Sequence, residues 1–114
     1  MIRTTILALP LALLATAAMP HTKTKGTTPA DGATVAEVDM LHIAFDAPMR
    51  VISAALTRGG TEVAIERGTG MEPVEAFHAV PASPLAPGTY RLDWRGMAED
   101  GHPMQGGLGF TVAE

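Results

Sequence analysis

With 114 residues, a formal charge of −4 and no cysteine, the chain is sized for one small domain and cannot use thiolate ligands, zinc fingers, disulfides or thiol redox chemistry. Its eight Lys and Arg are scattered and aromatic residues are only 4%, which argues against a nucleic-acid partner. The acidic balance is compatible with a cation ligand but mainly reports solubility.

The chain opens on "MIR", a short positive start, followed by the apolar run "TTILALPLALLATAA" closed by small residues. That is the layout of a secretory signal peptide, too short for a spanning helix. Residues 1–20 are therefore predicted as a signal peptide and residues 21–114 as one domain, exported to a bacterial periplasm. The A-x-A pattern points to cleavage after Ala17 or Ala18. No second hydrophobic segment follows, so the exported chain is expected to stay out of the membrane.

From there, Gly and Pro punctuate the sequence at short intervals: "TTPADGATV", "DAPM", "RGGTE", "RGTGMEP", "PASPLAPGTY", "EDGHPMQGG". The runs between them alternate with period two. In "MLHIAFD", Leu41, Ile43 and Phe45 share one face and His42 the other. "VISAALTR" and "TEVAIER" flank "GG" at 59–60, which suits a two-residue hairpin. "GTYRLDWRG" sets Tyr90, Leu92 and Trp94 against Arg91, Asp93 and Arg95, with Trp94 a core anchor, and "GLGFTVAE" alternates Leu108, Phe110 and Val112. No stretch holds helical period for three turns. Short strands with turn chemistry between them predict an all-β fold, a small antiparallel sandwich or barrel.

Two stretches carry more than periodicity. "TTPADGATV" and "ASPLAPGTYRLDWRGMAEDGHPMQGGLGFTV" resemble the CopC family of periplasmic copper-binding proteins, the first matching its S-x-P-A-x-G turn and the second its long C-terminal block ending in DGHP and a final strand. The resemblance spreads over nearly all of residues 21–114, weaker in the middle. It implies a Greek-key, immunoglobulin-like β-sandwich or barrel that binds one Cu(II) per chain through an N-terminal histidine and an Asp-x-His pair. Carried over by position, those are His21, Asp100 and His102. The implied role is copper storage or transfer in resistance and homeostasis, without catalysis, in some members beside an inner-membrane partner of the CopD type. A monomer is expected.

The residues support such chemistry on their own terms. On an extended segment, positions i and i+2 point to the same side, so Asp100 and His102 can converge on one ion. Pro103 biases His102 toward extended backbone, and Gly101 permits a tight approach. Imidazole and carboxylate suit Cu(II), which the Irving–Williams order favours. Taken alone, Asp-x-His is a weak motif, equally read as a turn cap beside a solvated histidine. A histidine at a true N-terminus chelates through ring and amine together, and binding must displace protons. Cleavage after Ala17 or Ala18 would leave His21 without a free amine, and Pro20 lacks an amide N–H to substitute. Either trimming exposes His21, or the site works with two imidazoles, a carboxylate and water.

Other positions read more plainly. Some family members place an acid after the LHxxF strand; here Ala47 falls there, beside Asp46. His42 reads as a solvated or inter-strand histidine. Met40, Met49, Met71, Met97 and Met104 are widely spaced and read as core or rim residues, not as a methionine-rich Cu(I) site. Two rival functions stand beside copper binding: a plain immunoglobulin-like interaction module, and a small copper-dependent monooxygenase. Against the monooxygenase stand the short chain, its sparse aromatic surface, and Asp100 occupying a position that oxygen chemistry needs open.

Overall fold

Alternation becomes strand throughout the computed structural model, which describes residues 24–114; the predicted signal peptide and His21 lie outside the described residues. Eight strands follow in chain order among those residues: β1 Thr24–Thr28, β2 Ala33–Val35, β3 Leu41–Arg58, β4 Thr61–Val63, β5 Ile65–Arg67, β6 Val74–Pro81, β7 Gly88–Ala98 and β8 Pro103–Val112. They form one curled sheet in the order β2-β8-β7-β3-β6-β5, with β1 and β4 also paired to β3. The all-β, Greek-key expectation holds. All ladders are antiparallel except the short parallel pairing of β2 with β8, which joins strands from opposite ends of the chain.

The centre of the architecture is β3. "MLHIAFD" and "VISAALTR" read as separate strands interrupted at "DAPM", yet the structure runs a single 18-residue strand through that segment. Its first part pairs with β1 and β6 and its second with β7 and β4, so one strand serves both walls. Pro48 is tolerated because the β3–β6 register is irregular between Ala44 and Met49, where a missing amide donor breaks no ladder bond. A second irregularity falls between Val51 and Ser53. It leaves Ile52 as an extra residue, exposed, and flips the inward parity from Met49 and Val51 to Leu56. That is the action of a β-bulge, which bends and re-aims its strand.

The inward set is continuous: Leu41, Ile43, Phe45, Met49, Val51 and Leu56 from β3, Phe77 and Ala79 from β6, Tyr90, Leu92 and Trp94 from β7, and Leu108, Phe110 and Val112 from β8. Each large apolar side chain so buried contributes roughly 1.5–3 kcal/mol. With no cysteine in the chain, this packing has no disulfide to support it. Trp94 meets Phe45 edge-on with ring centroids 5.2 Å apart, a favoured aromatic geometry. Its indole also needs Gly106 directly opposite, where a Cβ would come within 2.9 Å of the ring. The Tyr90 hydroxyl donates to the Ala86 carbonyl, pinning the entry to β7 as a tyrosine corner does.

The two stretches that carry the family resemblance meet in space. Gly109 N–H donates to Asp31 Oδ1 (2.8 Å) and Gly32 N–H donates to the Gly109 carbonyl (2.7 Å), so the "TTPADG" turn is bonded to β8. At the opposite wall, Arg67 closes the bulge. Its guanidinium donates to the carbonyls of Val51 (2.6 Å), Ile52 and Gly70 and lies over the Phe77 ring, 5.1 Å from its centroid. Arg50 donates to the Met71 carbonyl at 2.6 Å, so two cations hold the segment between β5 and β6.

Candidate metal centre

The β7–β8 hairpin carries Asp100 and His102. Gly101 N–H donates to the Ala98 carbonyl (3.0 Å) and Ala98 N–H donates to the His102 carbonyl (2.9 Å), while Gly101 takes a φ of +85°. A turn followed by a glycine in the left-handed region is a standard three-residue hairpin connection. Asp100 and His102 therefore do not lie on an extended segment, and strand alternation is not what brings them together. The turn does it: His102 N–H donates to Asp100 Oδ1 (3.1 Å), an Asx turn, and the other carboxylate oxygen then sits 2.7 Å from His102 Nδ1.

Both side chains are well exposed, His102 at 75% and Asp100 at 61%, so an ion reaches them without rearrangement of the core. The separation of Nδ1 and Oδ2 is also the spacing of two adjacent corners around a tetragonal ion, about 2.8 Å for metal–ligand distances near 2.0 Å. Alternatively, with the carboxylate holding Nδ1–H, the ring is oriented with Nε2 directed outward, the arrangement by which carboxylates fix metal-binding imidazoles. The donor chemistry fits copper in either mode.

Among the described residues no third His, Cys, Asp or Glu joins this pair to complete an ion-holding group. Asp46 is exposed and Ala47 is part-buried in the irregular stretch of β3, so the segment after "LHIAF" adds no carboxylate to the site. The methionines fall as core and rim residues: Met49 is buried, Met104 packs against the core, and Met40, Met71 and Met97 are exposed. His78 is a strand residue of β6. It lies opposite His42 in the ladder, with ring centroids 4.8 Å apart. Sequence reasoning missed this pair, since only the β3–β6 register reveals it.

A single sheet curled into a Greek-key barrel, with an Asp–His pair at one hairpin end, defines the fold class as a small all-β sandwich or barrel. The particular family follows from comparison: the CopC domain model matches residues 24–113, and the chain belongs to the CopC family. Copper resistance protein C of Escherichia coli is 32% identical over 110 residues, covering 87% of this chain and 86% of the relative. Copper resistance protein C of Xanthomonas campestris pv. juglandis is 30% identical over 125 residues, covering 97% and 94%. The crystal structure of PcoC, a methionine-rich copper resistance protein from Escherichia coli, superposes with a TM-score of 0.67 at 30% identity over 81% of this chain and 98% of that one. CopC from Methylosinus trichosporium OB3b shares the fold, with a TM-score of 0.65 at 21% identity over 82% and 94% of the two chains.

Proposed function

We propose that this protein is an exported, periplasmic copper-resistance protein that binds one Cu(II) through Asp100, His102 and His21, and stores or hands on the ion without catalytic turnover. The observation that carries this reading is the Asx turn of the β7–β8 hairpin, which holds a carboxylate oxygen and an imidazole nitrogen 2.7 Å apart within the stretch matched to the CopC domain. The curated relatives' names assign them to copper resistance, and copper is here cargo.

Topology supports the part given to His21. In the β1–β3 ladder Thr28 lies opposite His42 and Thr24 opposite Phe45, so the N-terminal end of β1 is directed along β3 toward Met49. The β7 partner of Met49 is Ala98, the residue at which the Asp100–His102 turn begins. The three residues from Thr24 back to His21 span up to about 10 Å of chain. Three ligands with water complete a nitrogen/oxygen set suited to Cu(II). An inner-membrane protein of the CopD type is the expected recipient or donor.

The test is a native mass spectrum of the protein as exported and matured by its host, after loading with Cu(II). One measurement yields the N-terminal residue and the copper count. A chain beginning at His21 and holding one copper supports the amine–imidazole site with Asp100 and His102. A chain beginning at Ala18 or Met19 that retains no copper overturns the reading.

A further inference from the structure

We infer that His42 and His78 form a second metal site, a two-imidazole chelate on the outer face of the β1–β3–β6–β5 wall, for a first-row divalent ion with Cu(II) foremost. It does not rest on the Asp100–His102 reading and shares no residue with it. The two histidines are direct cross-strand partners in the antiparallel β3–β6 ladder, where opposed Cβ atoms stand about 4.5–5.5 Å apart. Both point away from the core: their chain neighbours Leu41, Ile43, Phe77 and Ala79 fill it, while His42 and His78 are only part-buried.

The ring geometry matches coordination. Imidazole nitrogens each about 2.0–2.1 Å from a shared ion put the ring centroids about 4.5 Å apart at a right-angled site and about 5.2 Å apart at a tetrahedral one. The observed separation is 4.8 Å, with the rings tilted by 53°. That tilt is neither the offset-parallel nor the edge-to-face arrangement that aromatic packing favours, whereas a metal–imidazole bond leaves ring twist free. Among the described residues, no side chain is hydrogen-bonded or ion-paired to either ring, and the two rings contact each other.

The row is also kept open. On one side of the pair stands Thr28, opposite His42. On the other stands Gly68, whose N–H donates to the His78 carbonyl at 2.9 Å and whose missing side chain would have met the His78 Cβ at 3.4 Å. No bulky residue in the row covers the imidazoles, and water can supply the remaining corners. Along β3, His42 lies seven positions before Met49, whose partner opens the Asp100–His102 turn, which is roughly 20 Å of strand. The two sites therefore fill independently.

Cu(II) itself is the probe, titrated to two equivalents into the full exported chain and into its D100A/H102A form while the histidine ring resonances are followed by NMR. Paramagnetic broadening of both His42 and His78 in both proteins is the expected result. H42Q and H78Q, each made in the D100A/H102A background, should weaken the remaining Cu(II) binding about ten-fold or more, because the second imidazole binds intramolecularly. The wild-type NMR arm needs no variant, so a misfolded substitution cannot decide the matter. Sharp His42 and His78 signals while His102 broadens overturn the inference and leave the Asp100–His102 reading standing. Broadening of only one of the two rings overturns it as well. A sharp His102 with both His42 and His78 broadened sustains this site and removes the other.

Discussion

The molecule positions paired donors in two places by two different means. Asp100 and His102 are two residues apart in sequence and are brought together by a turn: a left-handed glycine between them and an Asx hydrogen bond across them. His42 and His78 lie 36 positions apart and are brought together by ladder register, each fixed by a strand whose alternate residues fill the core. The first pair is highly exposed and its geometry depends on three residues of a loop. The second is part-buried and its geometry depends on the whole wall. A turn-borne pair is open to exchange with a partner. A ladder-borne pair can be lost only by disturbing the sheet or by replacing its own side chains.

The largest effect expected from this contrast comes from the double substitution D100A/H102A. Loss of even an outer-shell partner costs a metal site roughly 10–100-fold in affinity, so removing both donors should lower Cu(II) affinity at the hairpin by about a hundred-fold or more. Fold stability should fall by no more than about 1 kcal/mol, the contribution of the exposed Asx hydrogen bond that is lost with Asp100. Native mass spectrometry with a thermal melt of the metal-free protein checks both halves. A melt that collapses would show the turn to be part of the folding framework, and the contrast with the ladder pair would fail.

A narrower break is Gly101→Val. At a φ of +85° a β-branched residue is a genuine outlier, and holding such a conformation costs of order 1–3 kcal/mol. The turn should relax to avoid it, separating Asp100 from His102. Copper affinity at the hairpin is expected to fall about ten-fold, while Cu(II) broadening of His42 and His78 is unchanged. Equal loss at both pairs would show that the two sites are coupled.

How far each pair could be read from the sequence follows from the same distinction. Local pattern sufficed for the core: the alternation of Leu41, Ile43 and Phe45, of Tyr90, Leu92 and Trp94, and of Leu108, Phe110 and Val112 is what the structure buries. It sufficed too for the hairpin at Gly59 and Gly60, both at positive φ, as a two-residue primed turn demands. Asp100 and His102 were legible as a motif, and the reading of Asp100 as a turn cap is the one that the Asx bond bears out; alternation was the wrong reason for their convergence, because the pair lies in the turn and not on a strand. The run of β3 through "DAPM" was not legible, since a proline in a register irregularity looks the same in sequence as a proline that ends a strand. His42 and His78 were beyond reach for a related reason: pairing them requires the β3–β6 register, which the packing of both strands' inner faces decides.

The smallest expected effect tests the environment of the ladder pair through the other glycine of the comparison. Gly68 adjoins His78 across the sheet, at an ordinary φ, and an added Cβ would meet the His78 Cβ at 3.4 Å, the near edge of normal contact. Gly68→Ala is thus compatible with the native backbone, and such changes stabilise by about 0.4–1 kcal/mol, chiefly by restricting the unfolded chain. A gain near the bottom of that range is expected here, with the methyl group taking up part of it by pressing on His78. Urea denaturation of G68A against wild type, both metal-free, measures it as a shift in midpoint at unchanged slope. The methyl group abuts the base of His78 and not its ring nitrogens, so Cu(II) at the ladder pair should change by less than about two-fold, under 0.5 kcal/mol. A clear loss of stability in G68A would mean that the sheet needs Gly68 for closer packing than its Cβ distances indicate. Loss of copper alone would mean that the ion sits over Gly68 instead of between the two rings.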